Sequence, residues 1–166
     1  MAMTAGAPYK RSCLALFIDE NFGTSPHYVI QGKDIESAAV QTGINSESKT
    51  NILDEVSFRI TEYQPTFDEQ TYICRKGDAI FEKLYDNYYA RATADAYETT
   101  VVDVLLDTEG NIEKAHKTTV RLEPTSFGGD GGSELVCEFT IHYTGTPTAL
   151  TVANVSISNG VLTIST

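Results

Sequence analysis

One segment of this sequence has the periodicity of a helix, and the segments on either side of it have the periodicity of strands. In residues 76–93, apolar and aromatic side chains recur three and four positions apart, at Phe81, Leu84, Tyr85, Tyr88 and Tyr89. Asp78 suits the N-cap position, so we expect a helix over about residues 78–91. A helix of this length is unstable alone in water, and its apolar side therefore needs a sheet to pack on.

The predicted helix has two different faces. Phe81, Leu84, Tyr85 and Tyr88 are expected to pack on the sheet. The opposite face is expected to be solvated, and it carries Glu82, Lys83, Asp86 and Asn87. One helix that covers a β core is the interpretation we prefer over a ligand pocket lined by tyrosines.

Most of the remaining chain shows the alternation of apolar and polar residues that is typical of strands with one buried face. Val56, Phe58 and Ile60 alternate with polar residues and predict a half-buried strand. Asn159-Gly160, between two β-prone runs, predicts a hairpin. Further strands are predicted over residues 13–19, 28–31, 35–40, 101–107, 117–123 and 134–143. The fold class is therefore mainly β.

The chain has 166 residues, which is the size of a single domain. We expect a flexible leader over residues 1–12, a β domain with its helix over residues 13–149, and a hairpin or extension over residues 150–166. Residues 41–51 are polar and lack periodicity, so they are predicted to form a long loop. Loops of this length in a compact domain are usually functional or mobile.

The charge balance excludes several classes of partner. The chain has 12 Lys plus Arg against 23 Asp plus Glu, a formal net charge of -11, which disfavours binding to nucleic acid or to anionic lipid. No apolar run is long enough to cross a membrane, and the N-terminus lacks the apolar stretch of a signal peptide, so we expect a protein made in the cytoplasm. Cys13, Cys74 and Cys137 are widely spaced and odd in number, which favours reduced thiols.

Patterns of a catalytic, cofactor or metal site are not found in the sequence. The glycine-rich residues 127–134 lack the Lys-Ser/Thr of a phosphate-binding loop and precede a strand. Cys137 and His142 are five positions apart on one predicted strand and so point to opposite faces. The three histidines are dispersed along the chain. We therefore expect a protein that is not an enzyme and that binds no cofactor or metal.

Several segments in order resemble one family, and together they span about residues 14–148. They are KTNIL (residues 49–53), RKGDAIFEKLYDNYYARA followed by ETTVVDV (residues 75–92 and 98–104), and SFGGDGGSELVCEFTIHYTGTP (residues 126–147). This order and spacing is similar to that of the tail tube (major tail) proteins of long-tailed bacteriophages, especially phages of Gram-positive bacteria. The final residues depart from the family pattern.

The resemblance implies a β-sandwich with one flanking helix that assembles as hexameric rings. The rings would stack into a tube lined by a continuous inner β-barrel, built around a tape measure protein and completed by tail terminator and baseplate or tip proteins. DNA would pass through the lumen without specific binding. The implied location is the virion tail, assembled in the host cytoplasm. The resemblance leaves contractile tails, non-contractile tails and phage-like bacteriocins as alternatives.

The resemblance also assigns two groups of residues. An inter-ring loop would contain Thr42, Gly43, Asn45, Ser46, Glu47, Ser48, Lys49 and Thr50. Carboxylates on the wet strand faces are candidates for the lumen wall, namely Asp103, Asp107, Glu134 and Glu138. Alternation along a strand fixes which residues share a face but not which face points inward, so solvated positions on the outside of the tube are the alternative.

A soluble β-sandwich module for binding or adhesion at a virion or cell surface is the alternative from a different class. Such a module needs exposed aromatic side chains to stack on its ligand. The sequence has no Trp, and most of its 9 Tyr lie in the helix stripe or in strand patterns. These features favour the structural role.

Overall fold

The computed structural model describes residues 6–32 and 39–165. That part of the chain contains one α-helix, α1 (Ala79–Tyr89), and short 3-10 turns at Arg11–Cys13, Ala94–Tyr97 and Val152–Asn154. The first six strands are β1 (Leu14–Asp19), β2 (Tyr28–Ile30), β3 (Val40–Gln41), β4 (Ile44–Thr50), β5 (Val56–Tyr63) and β6 (Thr66–Ile73). The six after α1 are β7 (Glu98–Leu106), β8 (Ile112–Gly128), β9 (Val136–Tyr143), β10 (Thr148–Ala149), β11 (Val155–Ser158) and β12 (Val161–Ile164).

Ten of these strands form one antiparallel sheet in the order β11-β12-β2-β1-β7-β8-β9-β6-β3, with β10 paired to β8. β4 and β5 form a separate two-stranded sheet. The predicted fold class, mainly β with one flanking helix, is confirmed. The strand predicted around residues 35–40 lies mostly outside the described residues, and so do the first residues of the predicted leader.

The main sheet buries both of its faces at its centre. On β7 the consecutive side chains of Val101 and Val102 point to opposite faces, and neither is exposed to solvent. Val101 belongs to the apolar cluster beneath α1, which β8 and β9 share. Val102 belongs to the cluster on the other face, which the C-terminal hairpin helps to cover. The domain therefore has a complete core without any residue of β4 or β5.

Helix α1 begins where the sequence predicts, because the Asp78 carboxylate accepts a hydrogen bond from the backbone N–H of Phe81 at 3.1 Å. The buried stripe is rotated from the predicted one. Ile80 and Leu84 are buried, and Asn87 is buried as well. The prediction that Asn87 is solvated was wrong, since its side-chain amide donates to the carbonyl of Ala96 at 2.7 Å.

The aromatic residues of α1 lie at the edge of this contact. Phe81 is half-buried, but Tyr85 and Tyr88 are each about two-fifths exposed. Both rings contact Phe127 at the end of β8 instead of entering the core. The three-and-four spacing predicted the helix correctly but assigned too much burial to its tyrosines, because the sheet beneath α1 is covered by the smaller residues Ile80 and Leu84.

The C-terminal residues continue the main sheet. Asn159 and Gly160 both have positive φ angles and connect β11 to β12, as the two-residue hairpin turn requires. β12 then pairs with β2, and Leu162 is buried in the cluster on that face. The three cysteines of the chain are free, as predicted, and Cys13 and Cys137 are buried.

We predict that Leu84→Ala lowers the free energy of unfolding by about 2–5 kcal/mol, because it leaves a cavity between α1 and the sheet. Tyr89→Ala, in the same helix at a position that is 64% exposed, is the matched control and should change stability by less than about 0.5 kcal/mol. Urea unfolding monitored by circular dichroism measures both. Equal losses in the two variants would contradict this account of how α1 packs.

Candidate functional site

β4 and β5 form a hairpin that leaves the edge of the main sheet. β3 and β6 pair with each other, and beyond them the backbone N–H of Gln64 donates to the carbonyl of Gly43 at 2.9 Å. Gly43 has a φ of 53°, and a Cβ at this position would lie 1.9 Å from the Gln64 carbonyl oxygen. Only glycine fits here, so Gly43 sets the base from which the hairpin projects.

The register places the large apolar residues of β4 and β5 on one face of the hairpin. Ile44 opposes Tyr63, and the remaining apolar residues of β5 oppose small hydroxyl residues of β4. These remaining pairs are Ile60 with Ser46, Phe58 with Ser48, and Val56 with Thr50. We call Ile44, Val56, Phe58, Ile60 and Tyr63 the hairpin's apolar face.

The opposite face of the hairpin is polar. Glu47 opposes Arg59, Lys49 opposes Ser57, and Asn45 opposes Glu62. The Lys49 ammonium also lies 4.0 Å from the Glu47 carboxylate, an exposed pair that contributes little to stability. The hairpin is therefore amphipathic, with one face suited to water and one suited to burial.

The described residues of the chain leave the hairpin's apolar face uncovered. Every residue of β5 is exposed, and Phe58 remains 70% exposed. The alternation of β5 predicted a half-buried strand, and that expectation is wrong for the isolated chain. A monomeric protein rarely leaves a contiguous apolar surface of this kind uncovered unless the surface binds something.

The tip of the hairpin is ordered by one side chain. The Asn51 side-chain carbonyl accepts from the backbone N–H groups of Leu53 and Glu55 at 2.8 and 3.1 Å, and its amide donates to the Glu55 carboxylate at 2.7 Å. Asp54 adopts the left-handed conformation that closes the turn. This arrangement holds Ile52, which is 100% exposed, out in solvent.

The sequence predicted a long loop over residues 41–51, and the structure corrects this to strand β4 and the start of the tip. β4 shows no alternation of apolar and polar residues on its own, because the apolar residues of the hairpin lie mainly in its pairing partner, β5. The predicted inter-ring residues Asn45, Ser46, Glu47, Ser48, Lys49 and Thr50 all belong to β4, while Thr42 and Gly43 lie at its base. A short stretch of sequence does not show that a serine-rich strand pairs with an apolar one.

The structure separates the four carboxylates predicted for the lumen wall. Asp103 shares its sheet face with Val101 and with Tyr143, so it lies on the side of α1. Glu138 alternates with Phe139 and points to the opposite face. Glu134 is exposed in the connection between β8 and β9. The four candidates therefore do not share one face of the sheet, and their role in a lumen wall stays a prediction.

Asp107 is not a solvated wall residue, because its side chain organises the turn between β7 and β8. It is buried and accepts from the backbone N–H groups of Glu109 and Asn111 at 2.8 and 2.9 Å. The Asn111 side-chain amide donates to the same carboxylate at 2.7 Å. The Asn111 side-chain hydrogen bond, followed by backbone hydrogen bonds, lowers the pKa of Asp107.

Asp103 is partly buried, and burial raises its pKa above the ordinary value. The Tyr143 hydroxyl donates to Asp103 at 3.0 Å, and this bond offsets part of the effect. Burial, together with the nearby carboxylate, also raises the pKa of Tyr143, which therefore stays protonated and remains a donor.

Two other features are absent from residues 6–32 and 39–165, namely a metal site and a membrane-spanning helix. No cluster of His, Cys, Asp or Glu in these ranges has the arrangement of a metal site. Within the same residues no helix has the length and apolar character needed to cross a membrane. The hairpin is thus the feature of the described chain that most needs a partner.

No protein-family model matches this sequence, and no curated protein sequence matches it. Solved structures with the same fold include chains of an extracellular contractile injection system and of the anti-feeding prophage. One is a chain of the sheath-tube complex of the PVC extracellular contractile injection system in its extended state, 11% identical, with a TM-score of 0.53, covering 88% of this chain and 95% of that chain.

Two further structures have the same fold. One is a chain of the PVC sheath/tube terminator in its extended state, 9% identical, with a TM-score of 0.54, covering 89% of this chain and 100% of that chain. The other is a chain of the tube-terminating cap of the anti-feeding prophage, 11% identical, with a TM-score of 0.53, covering 89% of this chain and 95% of that chain. At these identities the likeness establishes a shared fold.

We predict that Asp103→Asn raises the melting temperature at pH 7 but not at pH 3. The folded-state pKa of Asp103 lies above its unfolded value of about 3.9, so the charged carboxylate destabilises the fold at neutral pH. At pH 3 the group is protonated in both states and the penalty is absent. The amide oxygen still accepts from Tyr143. Thermal unfolding at both pH values tests this, and an equal change at both would contradict it.

Proposed function

We propose that this chain is a structural subunit of a tail tube, assembling as hexameric rings that stack through the β4–β5 hairpin. The observation that carries the proposal is the hairpin's apolar face, which projects from a domain whose core is already complete. The predicted inter-ring role of residues 42–50 belongs to this proposal, with β5 supplying the apolar contacts. The tube would form around a tape measure protein and conduct DNA.

The fold supports the proposal. Chains of a sheath-tube complex and of a tube terminator share this architecture over nearly nine-tenths of the present chain. Fold likeness alone does not assign function, so the hairpin provides the independent physical argument.

The energetics of the hairpin point to assembly. A two-stranded hairpin is marginally stable in water unless its apolar face packs against another element. The described part of its own chain leaves Phe58 and Val56 largely exposed. A second subunit would supply that cover, and repeating the contact from subunit to subunit would build an open-ended polymer.

A tube terminator is the second candidate. The terminator and the cap match this chain as closely as the sheath-tube chain does, with TM-scores of 0.54 and 0.53 against 0.53. A terminator would form closed rings that stop growth, whereas a tube protein would polymerise without limit. Electron microscopy of the purified protein at increasing concentration separates long tubes from single rings.

A lumen role remains part of the proposal for Glu134 and Glu138, the two exposed carboxylates of the predicted set. Glu138 shares its sheet face with His142, whose Nε2 lies 2.6 Å from the Glu123 carboxylate on β8. A wall with excess negative charge would repel the phosphate backbone of DNA, in keeping with the net charge of -11. We propose that the exposed part of this face, at β9, lines the channel.

We predict that replacing residues 44–63 by a short Gly-Ser turn abolishes assembly but leaves a folded monomer. The main sheet and both apolar clusters contain no residue of this segment, so the melting transition should remain cooperative. Deleting β4 alone would leave β5 without its pairing partner, which makes removal of the whole hairpin the cleaner variant. Sedimentation and electron microscopy measure the result. Normal tubes from the shortened chain would refute the role of the hairpin.

Two single substitutions test the two faces of the hairpin separately. Phe58→Ser should raise the protein concentration needed for assembly about tenfold, since it removes a large side chain from the apolar face. Arg59→Ser changes the neighbouring residue, which lies on the opposite, polar face, and this matched control should have a much smaller effect. Light scattering at increasing protein concentration gives the midpoint of assembly for each variant. Equal effects of the two substitutions would contradict the proposal that only the apolar face is buried on assembly.

A further inference from the structure

The described chain has a second exposed apolar surface, on α1. Tyr85, Tyr88 and Tyr89 are exposed on the helix, and the rings of Tyr85 and Tyr88 contact Phe127 at the end of β8. We call these four residues the tyrosine patch. Tyrosine is a frequent interface residue because its ring buries apolar area while its hydroxyl remains able to form hydrogen bonds.

The rings of the tyrosine patch contact one another. Ring centroids are 4.6 Å apart for Tyr85 and Tyr89 and 5.1 Å apart for Tyr88 and Tyr89. Phe127 lies beneath, with centroids 5.8 Å from Tyr85 and 5.7 Å from Tyr88. Rings that already contact one another have fewer conformations to lose when a partner covers them, which favours association.

The tyrosine patch is the clearest partner for the hairpin among the described residues. Away from the hairpin, the other large apolar side chains that are exposed belong to five separate segments, at Tyr9, Leu14, Ile30, Leu135 and Val152. None of these five residues has a second exposed, large apolar residue in its own segment with which it could form a patch. A repeating contact that is not symmetric joins two different surfaces of the same chain, and these two surfaces are available.

We propose that the apolar face of one subunit's hairpin docks on the tyrosine patch of a second copy of this chain. The aliphatic and aromatic side chains of the hairpin would cover the exposed rings. Charge adds to the match, because the Arg91 guanidinium lies 4.8 Å from the Tyr88 ring centroid, while Asp54 and Glu55 are at the hairpin tip. This inference rests on the proposed function, to which it adds the receiving surface.

Photo-crosslinking tests the contact without assuming its exact geometry. Benzoylphenylalanine in place of Phe58 keeps the aromatic character of a position that is already exposed, so the chain should fold. Assembled protein, prepared from mixed isotope-labelled and unlabelled chains, is irradiated, digested with trypsin and analysed by mass spectrometry. We expect crosslinks to residues 84–91, in pairs that carry one labelled and one unlabelled peptide. The same reagent in place of Arg59 is the control for the polar face and should not mark residues 84–91.

The outcomes distinguish this inference from the proposed function. If tubes form and position 58 crosslinks to another region, or only within its own chain, the receiving surface is wrong and the tube role stands. If the wild-type chain forms neither tubes nor rings at any concentration, the proposed function and this inference both fail.

A substitution in the receiving surface provides a second measurement. Tyr89→Ala should raise the concentration needed for assembly about tenfold, as expected when one aromatic anchor is lost from an interface. Tyr9→Ala removes an exposed tyrosine elsewhere, one that hydrogen-bonds to Glu113, and serves as the matched control. Equal midpoints for Tyr89→Ala and the wild type would overturn the inference.

Discussion

Burial of the central sheet on both faces is the constraint on which the rest of the structure depends. Val101 and Val102, adjacent on β7, enter two different apolar clusters, one beneath α1 and one beneath the C-terminal hairpin. The domain is therefore held together without β4 and β5. Because stability does not require the hairpin, its apolar face is free to serve contacts outside the chain.

The sequence predicts the parts of this fold that depend on local chemistry. The Asp78 cap and the Asn159-Gly160 turn are set by neighbouring residues and were found where expected. Burial was harder to predict, because it depends on what lies opposite. The alternation of β5 indicates an apolar face but not that this face is exposed in the single chain, and the hydroxyl residues of β4 show no strand pattern until they are paired with β5.

The acidic residues also show that the surroundings of a side chain depend on strand register and turn geometry. Asp103 and Glu138 both occur at polar positions of alternating strands, yet they point to opposite faces once the register of β7, β8 and β9 is known. Asp107 looks like a surface carboxylate in the sequence, but it holds a turn through bonds to Glu109 and Asn111. Sequence spacing cannot show either contact, since both depend on backbone geometry.

We propose that another subunit covers the hairpin's apolar face during assembly. Hydrogen–deuterium exchange of free and assembled protein tests this directly, because exchange reports local opening of each strand. Our account predicts fast exchange in residues 56–63 of the free chain and strong protection of the same residues after assembly, with little change in β7. Assembled tubes in which residues 56–63 still exchange as fast as in the free chain would contradict it.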